Sequence, residues 1–165
     1  MHHGEALLVY ETRVEAAWID DNGHMNDAAY ALVFSRAVDA LMDRIGLDSG
    51  QRKASRRTLY AAEALHRFFA EAREGDPLAV NLRLLEHDEK RMRVWLDMFG
   101  RDGVAVAASE QTLLSIDRSG ASSRVAEWRA ETRSAHDALA RAQRQLARPP
   151  LAGRGIGLRR ATVDG

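Results

Sequence analysis

Apolar and polar positions repeat with two different periods along this chain, and the points where the period changes mark its elements. From Tyr30, apolar side chains recur at Phe34, Ala37, Val38, Leu41 and Ile45, the three- and four-residue spacing of one helix face. Asn26 suits the N-cap, Asp27 favours the positive end of the helix dipole, and Gly46 stands where a glycine stops a helix. The spacing therefore predicts a helix over 27–45. Ala28, Ala29, Ala31, Ala37 and Ala40 place small side chains on several of its sides, so close approach by other backbone, and hence a largely enclosed helix, is expected.

Around this helix the period is two. Residues 5–15 are a strand candidate with mixed alternation, and the polar stretch 47–57 predicts a loop. Four strand candidates follow. The first, 58–72, sets Leu59, Ala61, Glu63, Leu65, Arg67 and Phe69 on one face. Glu74-Gly75-Asp76-Pro77 breaks the chain. Leu78, Val80, Leu82 and Leu84 then alternate up to the charged turn His87-Asp88-Glu89, and Met92, Val94, Leu96 and Met98 alternate after it. Asp102-Gly103 signals a hairpin, and a last strand sets Val104, Val106, Ala108, Glu110, Thr112, Leu114 and Ile116 on one face. A second helix is predicted over 123–147, with a seam of Trp128, Thr132, Ala135, Leu139, Ala142 and Leu146, ended by Pro149-Pro150.

Strand, long helix, four antiparallel strands and a second helix fit one α+β architecture: a curved antiparallel sheet wrapped around the first helix. The 165 residues suit a single domain, with its core in about 5–117 and a C-terminal helix and tail in 123–165. Such a sheet has edges to hide, so a homodimer or homotetramer is expected.

Composition narrows the chemistry. The chain has no cysteine, which removes disulfides, thiolate nucleophiles and cysteine-bound zinc and suits a reducing compartment. No long uncharged apolar run and no basic leader is present, so neither a membrane nor a secretory route is expected, and the cytoplasm is the default. The net charge of zero conceals −6 over residues 1–117 and +6 over 118–165. Without aromatic interleaving, that basic tail does not read as nucleic-acid-binding. The histidines are scattered without metal-ligand spacing, no Gly-x-Ser-x-Gly occurs, and Gly153-x-Gly155-x-Gly157 follows no strand. Met1-His2-His3 is given no role.

One stretch concentrates polar chemistry. Asp20-x-x-Gly23-His24-x-Asn26-x-x-x-Tyr30 runs straight into the long helix. Taken alone, Asp20 and Asp21 belong to a polar turn and Asn26 to a helix cap. Together with the element order and the strand that ends at Ile116-Asp117, the motif resembles the hotdog-fold acyl-CoA thioesterases of the 4-hydroxybenzoyl-CoA thioesterase type. Within them the chain is most similar to the betainyl-CoA thioesterases of carnitine breakdown. That likeness rests on Asp20-x-Asn22-Gly23-His24-Met25-Asn26, Glu86-x-Asp88-Glu89-Lys90-Arg91, Glu110-Gln111 and Ala152-Gly153-Arg154-x-Ile156-Gly157. The chain departs from that subgroup's histidine pattern at Leu65, Arg93 and Leu96.

The resemblance implies thioester hydrolysis, with coenzyme A as part of the substrate and no separate cofactor or metal. Asp20 attacks the carbonyl or activates water, and the amide of Asp27 at the helix start stabilises the oxygen that gains charge. Gly23 permits a tight turn, His24 positions the loop or acts as a base, and Asn26 orients water or carbonyl beyond its cap role. Glu63 either lines the site or pairs with an arginine. Lys90 and Arg91 meet phosphates or stay solvated. A betainyl group carries a quaternary ammonium, for which Trp18 and Tyr30, flanking the motif, are the aromatic candidates; Phe34, Phe68 and Trp95 are expected in the core. Two other functions suit the same fold: an acyl-CoA-binding module without hydrolysis, and an enoyl-CoA hydratase.

Overall fold

The computed structural model describes residues 6–157; Met1-His2-His3 and the end of the tail fall outside them. Strands β1 (Leu7–Arg13), β2 (Arg57–Phe68), β3 (Pro77–His87), β4 (Arg91–Phe99), β5 (Ala105–Asp117) and the short β6 (Arg124–Val125) accompany helices α1 (Asp27–Arg44), α2 (Ser49–Ser55) and α3 (Ala130–Gln143). The antiparallel sheet has the order β1-β3-β4-β5-β2, with β6 beside β5. It curves around α1 in the hotdog arrangement.

α1 forms where the spacing predicts it. Asn26 accepts the Ala29 amide at its start, and Gly46, at φ +78°, lies just beyond its end. Val33, Phe34, Ala37 and Leu41 are wholly buried against Val80, Leu82, Met92, Val94, Leu96, Met98 and Leu113. None of the described helices is long and apolar enough to cross a membrane.

Four expectations are corrected. The predicted loop 47–57 contains α2, whose start is fixed by Asp48 accepting the Gly50 and Gln51 amides. This helix buries no residue, so no apolar period announces it. The second helix starts later than predicted because the chain first extends the sheet: β6 replaces β4 where β4 has ended, pairing at Ile116 and Asp117, and Arg124 binds Asp117 at 2.9 Å.

The seam of α3 is also rotated. Its fully buried positions are Thr132, His136 and Gln143, with Ala135 and Leu139 only partly covered. Gln143 explains part of this. Its side-chain amide donates to the Leu82 carbonyl and accepts the Leu84 amide of β3, each at 2.8 Å, at the point where the β1 pairing ends with Leu82. Finally, a bulge between Ala61 and Glu63 reverses the faces of β2. Ala64, His66 and Phe68 then share a face with Gln111, Ser109 and Ala107, while Glu63 and Arg67 share the convex face with Thr112 and Ala108.

Candidate active site

The polar stretch before α1 folds as a narrow hairpin closed by the Ile19–Met25 bridge. Asp20 and His24 pair through N–H to carbonyl at 2.9 Å, and the Gly23 amide donates to the Asp20 carbonyl at 2.9 Å. Gly23 sits at φ +80° with open space around it, so its own conformation, rather than crowding, calls for glycine. The Asp20 carboxylate is solvent-exposed and accepts the Asn22 amide at 2.8 Å, which fixes it over the turn.

Asn26 ties this hairpin to the helix. Its side-chain oxygen accepts the Ala29 amide at 3.0 Å while its Nδ2 donates to the Trp18 carbonyl at 3.0 Å. The Ala28 amide is taken by the Asp27 carboxylate at 2.9 Å. Among the described residues nothing accepts from the Asp27 amide, so one donor at the positive end of α1 is left for a ligand.

The other wall comes from the segment after β2. The Met25 amide donates to the Ala72 carbonyl at 2.8 Å. The Tyr30 hydroxyl accepts the Ala72 amide at 3.1 Å and donates to the Ala70 carbonyl at 3.3 Å; burial raises its pKa. His24 Nε2 lies 2.8 Å from Glu71 Oε2. Between the walls runs a groove of about 360 Å³, lined by Asp20, Asn22, His24, Met25, Asp27, Tyr30 and the run Phe68–Glu71. Glu71 and Phe69 escape sequence reasoning, since no spacing links them to the motif, and Phe68, expected in the core, stands half-exposed in the groove because the β2 bulge turns it to this face.

Four expected site residues lie elsewhere. Trp18 is buried under the hairpin with the Arg36 guanidinium 5.4 Å from its ring centre, so its face is occupied. Glu63 is on the convex face, accepting from the Thr112 hydroxyl at 3.3 Å and paired with no arginine. Lys90 and Arg91 sit at the β3–β4 turn, and Arg91 is held by Asp88 at 2.6 Å. Through Leu114 this turn aligns with Tyr60 at the start of β2, eight residues or about 26 Å along the strand from Phe68. Of the other aromatics, Phe34 is fully buried and stacks on His66, and Trp95 lies under Arg67. A basic concavity also escaped the sequence reading: Arg52, Lys53, Arg56, Arg57 and Arg118 line a space of about 500 Å³ at the start of β2.

Chemically, the groove offers an accessible carboxylate on the hairpin and an unused amide at the start of α1, the kinds of group that can serve as nucleophile or base and as oxyanion donor.

Comparison with known proteins shows the family. Residues 14–136 match the Thioesterase-like superfamily. The chain is 43% identical over 155 residues to the betainyl-CoA thioesterase of Pseudomonas aeruginosa, covering 93% of this chain and 96% of that one. It is 40% identical over 111 residues to the L-carnitine dehydrogenase/betainyl-CoA thioesterase of Agrobacterium fabrum, covering 67% of this chain and 23% of that longer protein. Among solved structures, a putative thioesterase of Pseudomonas putida superposes with a TM-score of 0.80 at 36% identity, covering 94% of this chain and 99% of its own. A Staphylococcus aureus protein solved in complex with CoA superposes with a TM-score of 0.84 at 24% identity, covering 93% and 97%.

Proposed function

Because the chain belongs to the Thioesterase-like superfamily and is an acyl-CoA thioesterase, we propose that it hydrolyses betainyl-CoA, with Asp20 as nucleophile or general base. The observation that carries this reading is the shared groove of the Asp20 carboxylate and the unused Asp27 amide, supported by 43% identity to a betainyl-CoA thioesterase.

The thioester carbonyl oxygen accepts from the Asp27 amide, where the dipole of α1 favours the charge that develops. By the base route, Asp20 takes a proton from water, the water oxygen bonds the carbonyl carbon, and the tetrahedral intermediate expels the CoA thiolate. By the nucleophilic route, Asp20 itself displaces the thiolate to form a mixed anhydride, which water then cleaves. In both, Gly23 and Asn26 hold the hairpin and His24 is a positioning residue through Glu71.

The substrate's phosphates need cations, which the groove lacks. β2 is an open edge twelve residues long, and an uncovered edge of that length invites pairing with a second copy. Antiparallel pairing of two β2 strands sets the start of one beside the end of the other. Lys90, Arg91 and the basic concavity of each copy then approach the opposite groove. The protein is accordingly read as a homodimer or a larger assembly that contains this dimer.

The test is thiol release from betainyl-CoA, acetyl-CoA, an aromatic acyl-CoA and a long-chain acyl-CoA, by wild type and Asp20→Ala. Preference for betainyl-CoA, lost in the variant, is expected. Preference for the long chain overturns the substrate, and an active Asp20→Ala protein overturns the mechanism.

A further inference from the structure

Two rings of the groove stand half-exposed, and its charges are almost all negative. Tyr30, itself buried, meets Phe68 edge to face, with centroids 5.3 Å apart and planes at 74°, which braces the Phe68 ring at the groove. Phe69 follows directly. Phe68 is 52% and Phe69 49% exposed, a pairing of large apolar side chains that water alone disfavours. Asp20, Asp27 and Glu71 share the groove with these rings, and His24, the one candidate cation among its lining residues, already faces Glu71.

Few ligand chemistries use both features. A plain hydrocarbon makes no use of the groove's negative charge, and an anion is repelled by it. A primary ammonium or a metal ion takes carboxylates and has little use for ring faces. A quaternary ammonium, wide, weakly hydrated and without N–H donors, uses both.

We propose that Phe68 and Phe69, the first braced by the buried Tyr30, form the subsite for the trimethylammonium head of the acyl group, with Glu71 adding negative charge beside it; this rests on the betainyl reading above. The spacing fits. Asp27 and Tyr30 stand three residues apart on α1, which puts their Cβ atoms about 5–6 Å apart on one face. In a betainyl thioester a single methylene separates the carbonyl carbon from the nitrogen. A carbonyl oxygen on the Asp27 amide therefore brings the ammonium toward Tyr30 and the Phe68 ring that packs on it. Trp18 takes no part, because Arg36 already covers its face.

The experiment compares kcat/KM for betainyl-CoA and its uncharged isostere 3,3-dimethylbutyryl-CoA, in which carbon replaces the nitrogen. Wild type is expected to favour the charged thioester tenfold or more. Phe68→Leu and Phe69→Leu, both at half-exposed positions that tolerate substitution, each lower that ratio by about three- to tenfold, chiefly through KM, and Phe68→Trp restores it. An unchanged ratio in both leucine variants overturns the subsite while betainyl-CoA stands as the substrate. A wild type that hydrolyses the two thioesters equally well overturns the substrate reading and the subsite together.

Discussion

His24 Nε2 lies 2.8 Å from Glu71 Oε2, joining the hairpin that carries Asp20 to the segment that follows β2. With the Met25–Ala72 and Tyr30–Ala72 hydrogen bonds, this contact holds the two walls of the groove together.

Glu71 is largely exposed, so its pairing adds less than about 1 kcal/mol to stability. Its effect belongs in turnover instead. Glu71→Ala is expected to lower kcat for betainyl-CoA by about three- to tenfold with little change in melting temperature, and Glu71→Gln, which keeps a hydrogen-bonding group, to lower it less. Unchanged kcat in Glu71→Ala would remove the positioning role.

Asp20→Asn keeps the shape of the turn and removes the charge. A loss of more than about 100-fold in kcat, at an unaltered circular dichroism spectrum, is expected. A single turnover of wild type in ¹⁸O-labelled water probes the route. Label in the Asp20 carboxylate marks an anhydride opened at the Asp20 carbonyl, whereas label confined to the released acid fits a general base or an anhydride opened at the acyl carbonyl.

Asn26→Ala removes both the α1 cap and the tie to the Trp18 carbonyl. A lost cap of this kind costs about 1–2 kcal/mol, a fall of about 3–6 °C in Tm for a chain of this size. Calorimetry checks the stability, and a matching fall in kcat is expected because the Asp27 amide loses its fixed direction.

His136 is wholly buried between Trp128 and His87, neither ring nitrogen has a hydrogen-bond partner, and burial holds its pKa down to about 4. Below pH 6.5 the unfolded chain therefore binds a proton that the folded one refuses. Stability falls as pH drops from 6.5 to about 4 and levels off beneath, by about 3 kcal/mol in all. Urea midpoints across that range should show this limb in wild type and a flatter one in His136→Leu. An equal slope in both would place the acid sensitivity of that range elsewhere; Asp88, whose carboxyl Arg91 holds down at about 2, loses its contribution only below about pH 4.

Much of the fold was legible because its signals are local. The 3.6 period and both end signals of α1 lie within one stretch, as do the alternating runs of β3 and β4. The errors fall where a partner outside the stretch decides. α2 carries no apolar face to detect. β6 exists because the β4 pairing stops at Arg91–Leu114 and leaves Ile116 and Asp117 without a neighbour on that side. The burial of Gln143 instead of the apolar seam follows from an unpaired edge of β3.

For the site, the sequence by itself determined the hairpin, the cap and the carboxylate, because Asp20, Gly23, Asn26 and Asp27 act on backbone a few residues away. Only the tertiary structure decided what faces them. One bulge after Ala61 turned Glu63 out of reach and Phe68 inward, and the distance along β2 separated Lys90 and Arg91 from the groove of their own chain. Strand register changes the face of every later residue at a single irregularity, and no periodicity read along the chain announces where that irregularity falls.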